Sequence, residues 1–278
     1  MNVTLWGTRG SLPTPGPETT RYGGNTSCVE VRGRGGELLV LDAGTGIRRL
    51  GAAVDPDVRR IDLLLTHLHM DHIEGLGFFA PLFRRDLEVH IWGPASTTLD
   101  LRARLGRYLS PPIFPVRLRD LPCSLELHDV VSEERFVIGG LEVQSALVCH
   151  PGPTVGFRIQ EGDAALAYLP DHEPALGAID FPNDPDWMSG FELAKDASLL
   201  IHDAQYDHDD YAARVGWGHS ELRDLLAFAT ATHARSVVPF HYDPGDTDAE
   251  LDKRFDGARR ARLPFAFVPG VEGAVFEL

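Results

Sequence analysis

Residues 66–72 read Thr66-His67-Leu68-His69-Met70-Asp71-His72, directly after the apolar run Ile61-Asp62-Leu63-Leu64-Leu65. His67, His69, Asp71 and His72 thus place four metal-ligating side chains where a buried strand ends. A strand end followed by a tight loop aims His67 and His69 to one side. Asp71 and His72 then reach a second point a few ångströms away. Neutral imidazoles and a carboxylate suit Zn, Mn or Fe. The alternative is a His-rich surface loop, and the rest of the chain weighs against it.

The pattern His-x-His-x-Asp-His after a strand resembles the signature of the metallo-β-lactamase-fold hydrolases. The resemblance implies a further His after a later strand, a bridging Asp after the next hairpin and a final His toward the C-terminus. His150 in Ala146-Leu147-Val148-Cys149-His150, Asp171 in Ala167-Tyr168-Leu169-Pro170-Asp171 and His241 in Val237-Val238-Pro239-Phe240-His241 match in that order. By the resemblance, His67, His69 and His150 hold one divalent ion. Asp71, His72 and His241 hold a second, and Asp171 bridges them. Zn is the expected metal, with Mn or Fe as alternatives that the same donors suit. Two ions roughly 3.5–4 Å apart, sharing a hydroxide, can clamp the attacking and leaving oxygens of a displacement. Asp42 in Leu41-Asp42-Ala43-Gly44 either supports the His loop or caps the helix that follows.

A second set of motifs narrows the chemistry. Gly218-His219-Ser220 resembles the His-Ser element of the phosphodiesterase branch, which includes the tRNA 3′-processing endonucleases. Gly7-Thr8-Arg9-Gly10-Ser11 and Arg21-Tyr22-Gly23-Gly24-Asn25-Thr26-Ser27 resemble that branch's N-terminal elements, and His202-Asp203-Ala204-Gln205-Tyr206 a later one. The resemblance makes Asp71 and His219 the catalytic residues, His219 reaching toward the leaving oxygen; the other reading is a helix cap at His219 or Ser220. Arg9, Asn25 and Ser27 line a phosphate site or form a structural turn. His172 and Glu173 reach the pocket or support it from behind. His90, His128, His202, His208 and His233 have no ligand-like setting in the sequence.

The elements that must position these residues are short. Val3–Trp6 reads as an edge or outer strand, and 28–32 with 38–41 as a hairpin across Gly33–Gly36. A helix is expected at 46–53, strands at 61–65 and 87–92, and an amphipathic helix at 95–109 ending before Pro111-Pro112. Residues 110–122 read as an ordered loop. Strands follow at 135–138, 141–148, 154–160 and 164–169. Helices at 187–196 and 219–232 flank strands at 198–202 and 236–240, and 246–262 reads as an exposed helix. This rhythm fits two mixed β-sheets packed face to face with helices on the outer faces, the α/β, αββα four-layer sandwich that the resemblance implies. Ligands from opposite halves of the chain imply a single domain over residues 1–278.

With 26 Lys and Arg against 41 Asp and Glu, the net charge is −15, the wrong sign for a protein whose partner is a long polyanion. Three cysteines without a Cys-x-x-Cys pair imply no disulfide framework and a reducing, cytoplasmic setting. No signal-peptide pattern or membrane-length apolar run is present. The expected activity is a dinuclear metal-dependent hydrolase, a phosphodiesterase on a small or single-stranded phosphodiester such as a cyclic nucleotide. The expected partners are that small molecule and, in one alternative, a second copy of the chain as a homodimer. A tRNA 3′-processing endonuclease is the first alternative reaction, weakened by the charge and by the lack of a basic inserted arm. A lactonase or thioesterase on the same fold is the second. A flavin-linked di-iron enzyme conflicts with His69, and a degenerate binding module conflicts with the complete ligand set.

Overall fold

The computed structural model describes residues 1–278 except 177 and 179. Short apolar runs closed by Gly, Pro or Asp form the strands. β1 (Asn2–Gly7), β2 (Cys28–Arg32) and β3 (Leu38–Leu41) make an antiparallel meander. β4 (Arg60–Leu64), β5 (Glu88–Pro94) and β6 (Ser124–Val130) extend it in parallel. The second half repeats the scheme. β7 (Arg135–Ile138), β8 (Leu141–Leu147), β9 (Val155–Glu161) and β10 (Ala164–Leu169) are antiparallel, and β11 (Leu199–Asp203), β12 (Ser236–Phe240) and β13 (Ala266–Phe267) are parallel. β14 (Val275–Glu277) returns to pair with β1. The result is two seven-stranded mixed sheets, ordered β14-β1-β2-β3-β4-β5-β6 and β13-β12-β11-β10-β9-β8-β7.

The sheets face each other across a core that includes Leu5, Val31, Leu41, Phe157, Tyr168, Ile201 and Phe240. Outside the first sheet, α1 (Ile47–Ala53) and α3 (Leu101–Tyr108) bury Ile47, Leu50, Leu101 and Leu105, while α2 (Met70–Ile73) buries Ile73. Outside the second, α4 (Phe191–Ala194) and α6 (Leu222–Ala231) bury Leu193, Leu225 and Phe228. α5 (His208–Arg214) has no buried residue. α7 (Asp248–Arg260) packs Leu251 and Phe255 against Tyr22 and Tyr242. Parallel strands buried on both faces gather their carboxyl ends on one side, the usual place for a site in such sheets. Asp42, the His67–His72 segment, Asp171 and His241 lie at the ends of β3, β4, β10 and β12.

Several elements differ from the expectations. The first strand is internal, because β14 covers its far edge. The helix expected at 95–109 starts only at Leu101, since Asp100 accepts from the Ala103 N–H at 2.7 Å and caps it. The helix expected at 187–196 shrinks to α4. The helix expected at 246–262 is half buried rather than exposed, through Leu251, Phe255 and Ala258. β6, α5, β13 and β14 were not expected at all.

Candidate metal centre

The four side chains of the His motif split as the strand end dictates. The ligand-type atoms of His67, His69 and His150 gather within 4.8 Å of one another, and so do those of Asp71, His72, Asp171 and His241. Asp171 stands between the groups. Its Oδ2 lies 3.6 Å from His67 Nε2 and 3.8 Å from His150 Nε2, and its Oδ1 lies 3.0 Å from His72 Nε2 and 3.2 Å from His241 Nε2. Each oxygen therefore faces a different triad. Asp71 Oδ2 is 3.1 Å from His241 Nε2 and accepts from the Ser11 N–H at 2.7 Å.

The tautomers follow from the partners behind each ring. His72 Nδ1–H donates to Asp42 Oδ2 at 2.8 Å, His150 Nδ1–H to the Gly218 carbonyl at 2.9 Å, and His241 Nδ1–H to Gln205 Oε1 at 3.0 Å. The Thr66 hydroxyl spends its one proton on Asp42, so it accepts from His67 Nδ1–H at 3.1 Å. Each of these rings is left with Nε2 facing the cluster, while His69 offers Nδ1, 3.2 Å from His150 Nε2. Backing partners of this kind fix ring orientation at metal sites. Asp42 is the hub: it is fully buried and also accepts from the Thr66 N–H at 2.8 Å and the Tyr168 hydroxyl at 3.0 Å. The α1 N-terminus has no side-chain cap, so of the two readings of Asp42 support holds and capping does not.

The backbone is strained where it turns into the site. Ser11, Asp42 and His241 have φ near +59°, +59° and +59°, a region that non-glycine residues enter at a cost of order 1–3 kcal/mol. Gly10 lets the chain pass the His241 ring, since a Cβ there would lie 2.2 Å from Nδ1.

Electrostatics separate the two triads. Burial pushes the imidazolium forms of His67 and His69 down and takes His150 to about 4. These rings are neutral, the form a metal requires. Burial also opposes charge on His72, but Asp171, Asp71 and Asp42 outweigh it and hold that ring's pKa high. Burial alone would raise Asp171, yet His241, His72 and His67 keep it well below the ordinary carboxylate range. His67 Nε2 and Asp171 Oδ1 are buried without a hydrogen-bond partner. Two unpartnered ligand atoms aimed at a common space, beside the neutral His67, His69 and His150 rings and the ionised Asp171 carboxylate, fit the binding of divalent cations.

His219 lies beside this cluster. Its ring stacks on His241 with centroids 5.0 Å apart, and its Nδ1–H donates to Asp203 Oδ2 at 2.7 Å. Burial disfavours its charge, but Asp203, Asp171 and Asp71 overcome this and push its pKa up to about 9. Asp203 is fully buried and also accepts from the N–H groups of Gln205, Ser220 and His172. Neither His219 nor Ser220 caps α6, whose N-cap residue is Glu221 and which has no side-chain cap. Glu173 accepts from the Gly216 and Gly218 N–H groups and from Tyr211, and so holds the turn before His219. His172 pairs with His202 behind the site. Arg9 and Asn25 make contacts within the fold: Arg9 donates to the carbonyls of Gly23, Asp243 and Asp246, and Asn25 to Glu272. Ser27 is buried.

Sequence reasoning assigned no role to Thr66, Tyr168, Asp203 or Gln205. Asp203 and Gln205 stood in the segment 202–206 that resembles an element of the phosphodiesterase branch, but their contacts with His219 and His241, like those of Thr66 and Tyr168 with Asp42, join separate segments of the chain.

Two seven-stranded mixed sheets with helices outside, and a His/Asp cluster at their shared end, define a metallo-β-lactamase-fold hydrolase. The chain belongs to the β-lactamase superfamily: the family model described as beta-lactamase superfamily domain matches residues 38–242. It is 32% identical over 255 residues to a ribonuclease Z of Mycobacterium sp. (strain KMS), covering 87% of this chain and 76% of that protein. Among solved structures it is similar to human tRNase Z, short form (TM-score 0.69, 20% identity, 100% of this chain and 99% of that one). It is also similar to Zn(2+)-bound PqqB from Methylobacterium extorquens (TM-score 0.70, 18% identity, 100% of each chain). The protein is a metal-dependent hydrolase. Among the described residues no helix is long and apolar enough to cross a membrane.

Proposed function

We propose that the chain acts, as one domain over residues 1–278, as a dinuclear phosphodiesterase on a small or single-stranded phosphodiester, cyclic nucleotides included. The carrying observation is the Asp203–His219 pair set beside the split carboxylate of Asp171, with His219 Nδ1 4.0 Å from Asp171 Oδ2. In this reading His67, His69 and His150 hold one ion, Asp71, His72 and His241 the other, and Asp171 both. Zn is the first choice, because the donors are mainly imidazole with few carboxylates. Bound ions of this kind supply Lewis acidity and an acidified water at neutral pH.

The protein's own part is positional and protonic. Asp71, fixed by the Ser11 N–H, keeps a negative oxygen against His241. Asp203 holds the His219 tautomer with the proton on Nδ1 and stabilises the charged ring. Protonated His219 then gives its Nε2 proton to the departing alkoxide, as a general acid. Exposed Arg107 lines a depression with Leu68, Met70 and Ile113 and has no ion pair among the described residues, so it is free for a substrate phosphate. The test is kcat/KM on bis-p-nitrophenyl phosphate, 2′,3′- and 3′,5′-cyclic nucleotides, a lactone and a thioester. A phosphodiester should lead. A carbon ester ahead of every phosphodiester would replace this reading with the lactonase or thioesterase one.

The ribonuclease Z relative favours a second reading, tRNA 3′-end cleavage. Precursor tRNA belongs in the same panel, and preferential cutting at its 3′ trailer would establish that reading.

A further inference from the structure

A second group of metal-ligating side chains lies away from the seven-residue cluster, on β5 and β6. His90 and Glu126 are direct partners across these parallel strands, and His128 lies opposite Trp92. His90 Nδ1 is 2.8 Å from His128 Nε2, and Glu126 Oε2 lies 3.8 Å from the first and 3.9 Å from the second. A tetrahedral ion with bonds of about 2.0–2.1 Å has ligand–ligand edges of about 3.3–3.4 Å, and these three separations bracket that value. The ligand atoms fall within 4.8 Å of one another.

The surroundings prepare the site. His90 is 6% exposed, and its Nε2–H donates to Glu88 Oε1 at 2.5 Å. That bond fixes the tautomer and leaves a lone pair on Nδ1, directed at His128. A hydrogen bond between the two rings would satisfy them alone, but it gives no reason for a carboxylate nearly equidistant from both. Glu126 makes no hydrogen bond elsewhere among the described residues. Charge also favours a cation. Three carboxylates, Asp62, Glu88 and Glu126, stand here against one cation, Arg60, which bonds Asp62 at 2.8 and 2.9 Å and lies 3.7 Å from Glu88 Oε1, so the local balance stays negative. The His128 ring is held flat against Trp92, centroids 3.9 Å apart, and Trp92 stacks on Phe136 of the other sheet at 4.4 Å.

We propose that His90, His128 and Glu126 form a separate site for one borderline divalent transition-metal ion, with Zn as the reference cation and Glu88 holding His90 in the ligating tautomer. The ion ties β6, the edge strand of the first sheet, to β5. Three protein ligands leave the fourth tetrahedral position to water.

The test is metal bound per chain, measured at buffered free Zn from nanomolar to high micromolar, for wild type, His128→Gln, Glu126→Gln and Glu88→Gln. Wild type should take up one equivalent more than His128→Gln. Glu126→Gln should weaken that last step about tenfold or more, and Glu88→Gln by about 10–100-fold, the usual effect of removing a partner behind a ligating His. Glu126 is exposed, so its variant keeps the fold if His128→Gln does not. Wild type should also gain thermal stability over this last step, and the variants should not. The difference between wild type and variant does not depend on how many ions the seven-residue cluster holds. Equal metal content in wild type and His128→Gln at every free Zn, or an extra equivalent that survives in both His128→Gln and Glu126→Gln, would overturn the site.

Discussion

His219 touches its neighbours in a way that separates chemistry from structure. Its Nδ1 is committed to Asp203 and its ring face to His241, so Nε2 is the nitrogen left for substrate. His219→Ala should keep both ions and lower kcat by roughly 10²–10⁴-fold, the range of general acid catalysis. The loss should shrink for a nitrophenolate, which departs without a proton, and be largest for a ribose or alkyl oxygen. Equal turnover of mutant and wild type on a poor leaving group would remove His219 from the mechanism. Asp203→Asn should reproduce the leaving-group pattern with metal content intact, because it disturbs the ring's tautomer while preserving its place. If Asp203→Asn instead sheds metal, its role is support of the 202–205 segment rather than of His219.

Among the elements, α6 and the turn before it deliver His219. Gly218 has φ +86°, and a Cβ there would meet His150 Nδ1 at 2.5 Å. Gly218→Ala should therefore damage both His150 and His219, lowering metal content and kcat together, unlike His219→Ala. Asp224, in the first turn of α6, is pushed up to about 6 by burial and by Glu221, against Arg223. A carboxyl whose folded pKa is raised above the ordinary 3.8 contributes stability below that value and loses it as pH rises through about 6. Asp224→Asn should match wild type in urea unfolding near pH 4 and exceed it at pH 7. Parallel pH profiles would show that Asp224 is not the source.

The elements also show what a sequence displays. The hairpin of β2 and β3 is legible to the residue because Gly33, Gly35 and Gly36 punctuate it. β6 carries a plain alternation, Leu125 and Leu127 against Glu126 and His128, and its polar residues hid it. β13 and β14, of two and three residues, are too short to show any period. The His67–His72 segment is legible because its metal-ligating residue types are adjacent in sequence. Gln205 behind His241 is not, because it acts across 36 residues through a carbonyl oxygen. The His90–His128 contact fails for the same reason: the two rings meet only once β5 and β6 lie side by side.

On the scale of the molecule, the proposed ligands come from both sheets. His67, His69, Asp71 and His72 follow β4 of the first, and His150, Asp171 and His241 follow β8, β10 and β12 of the second. Ions held here would staple one end of the sandwich. Anything bound only to the folded state stabilises it, by about 2.7 kcal/mol at a hundredfold excess over Kd. Chelation should therefore abolish activity and lower Tm. Asp171→Ala should lose most of both ions and begin at that lower Tm, insensitive to chelator. A single, fully occupied metal in active protein would contradict the dinuclear scheme. The net charge of −15 bears on the choice of substrate at the same scale. A protein that binds tRNA through many phosphate contacts loses affinity steeply as salt rises, because counterions are released. A small phosphodiester engages the ions and one or two nearby groups such as Arg107, so its kcat/KM should fall only modestly between 50 and 200 mM salt, roughly the range over which a many-contact complex loses 10³–10⁵-fold. Shallow salt dependence with cyclic nucleotides cut faster than precursor tRNA supports the small-substrate reading. A steep slope on precursor tRNA, with faster cutting at low salt, would mean that exposed Arg102, Arg107, Arg117 and Arg119 outweigh the acidic surface and would move the protein to the tRNA-processing reading.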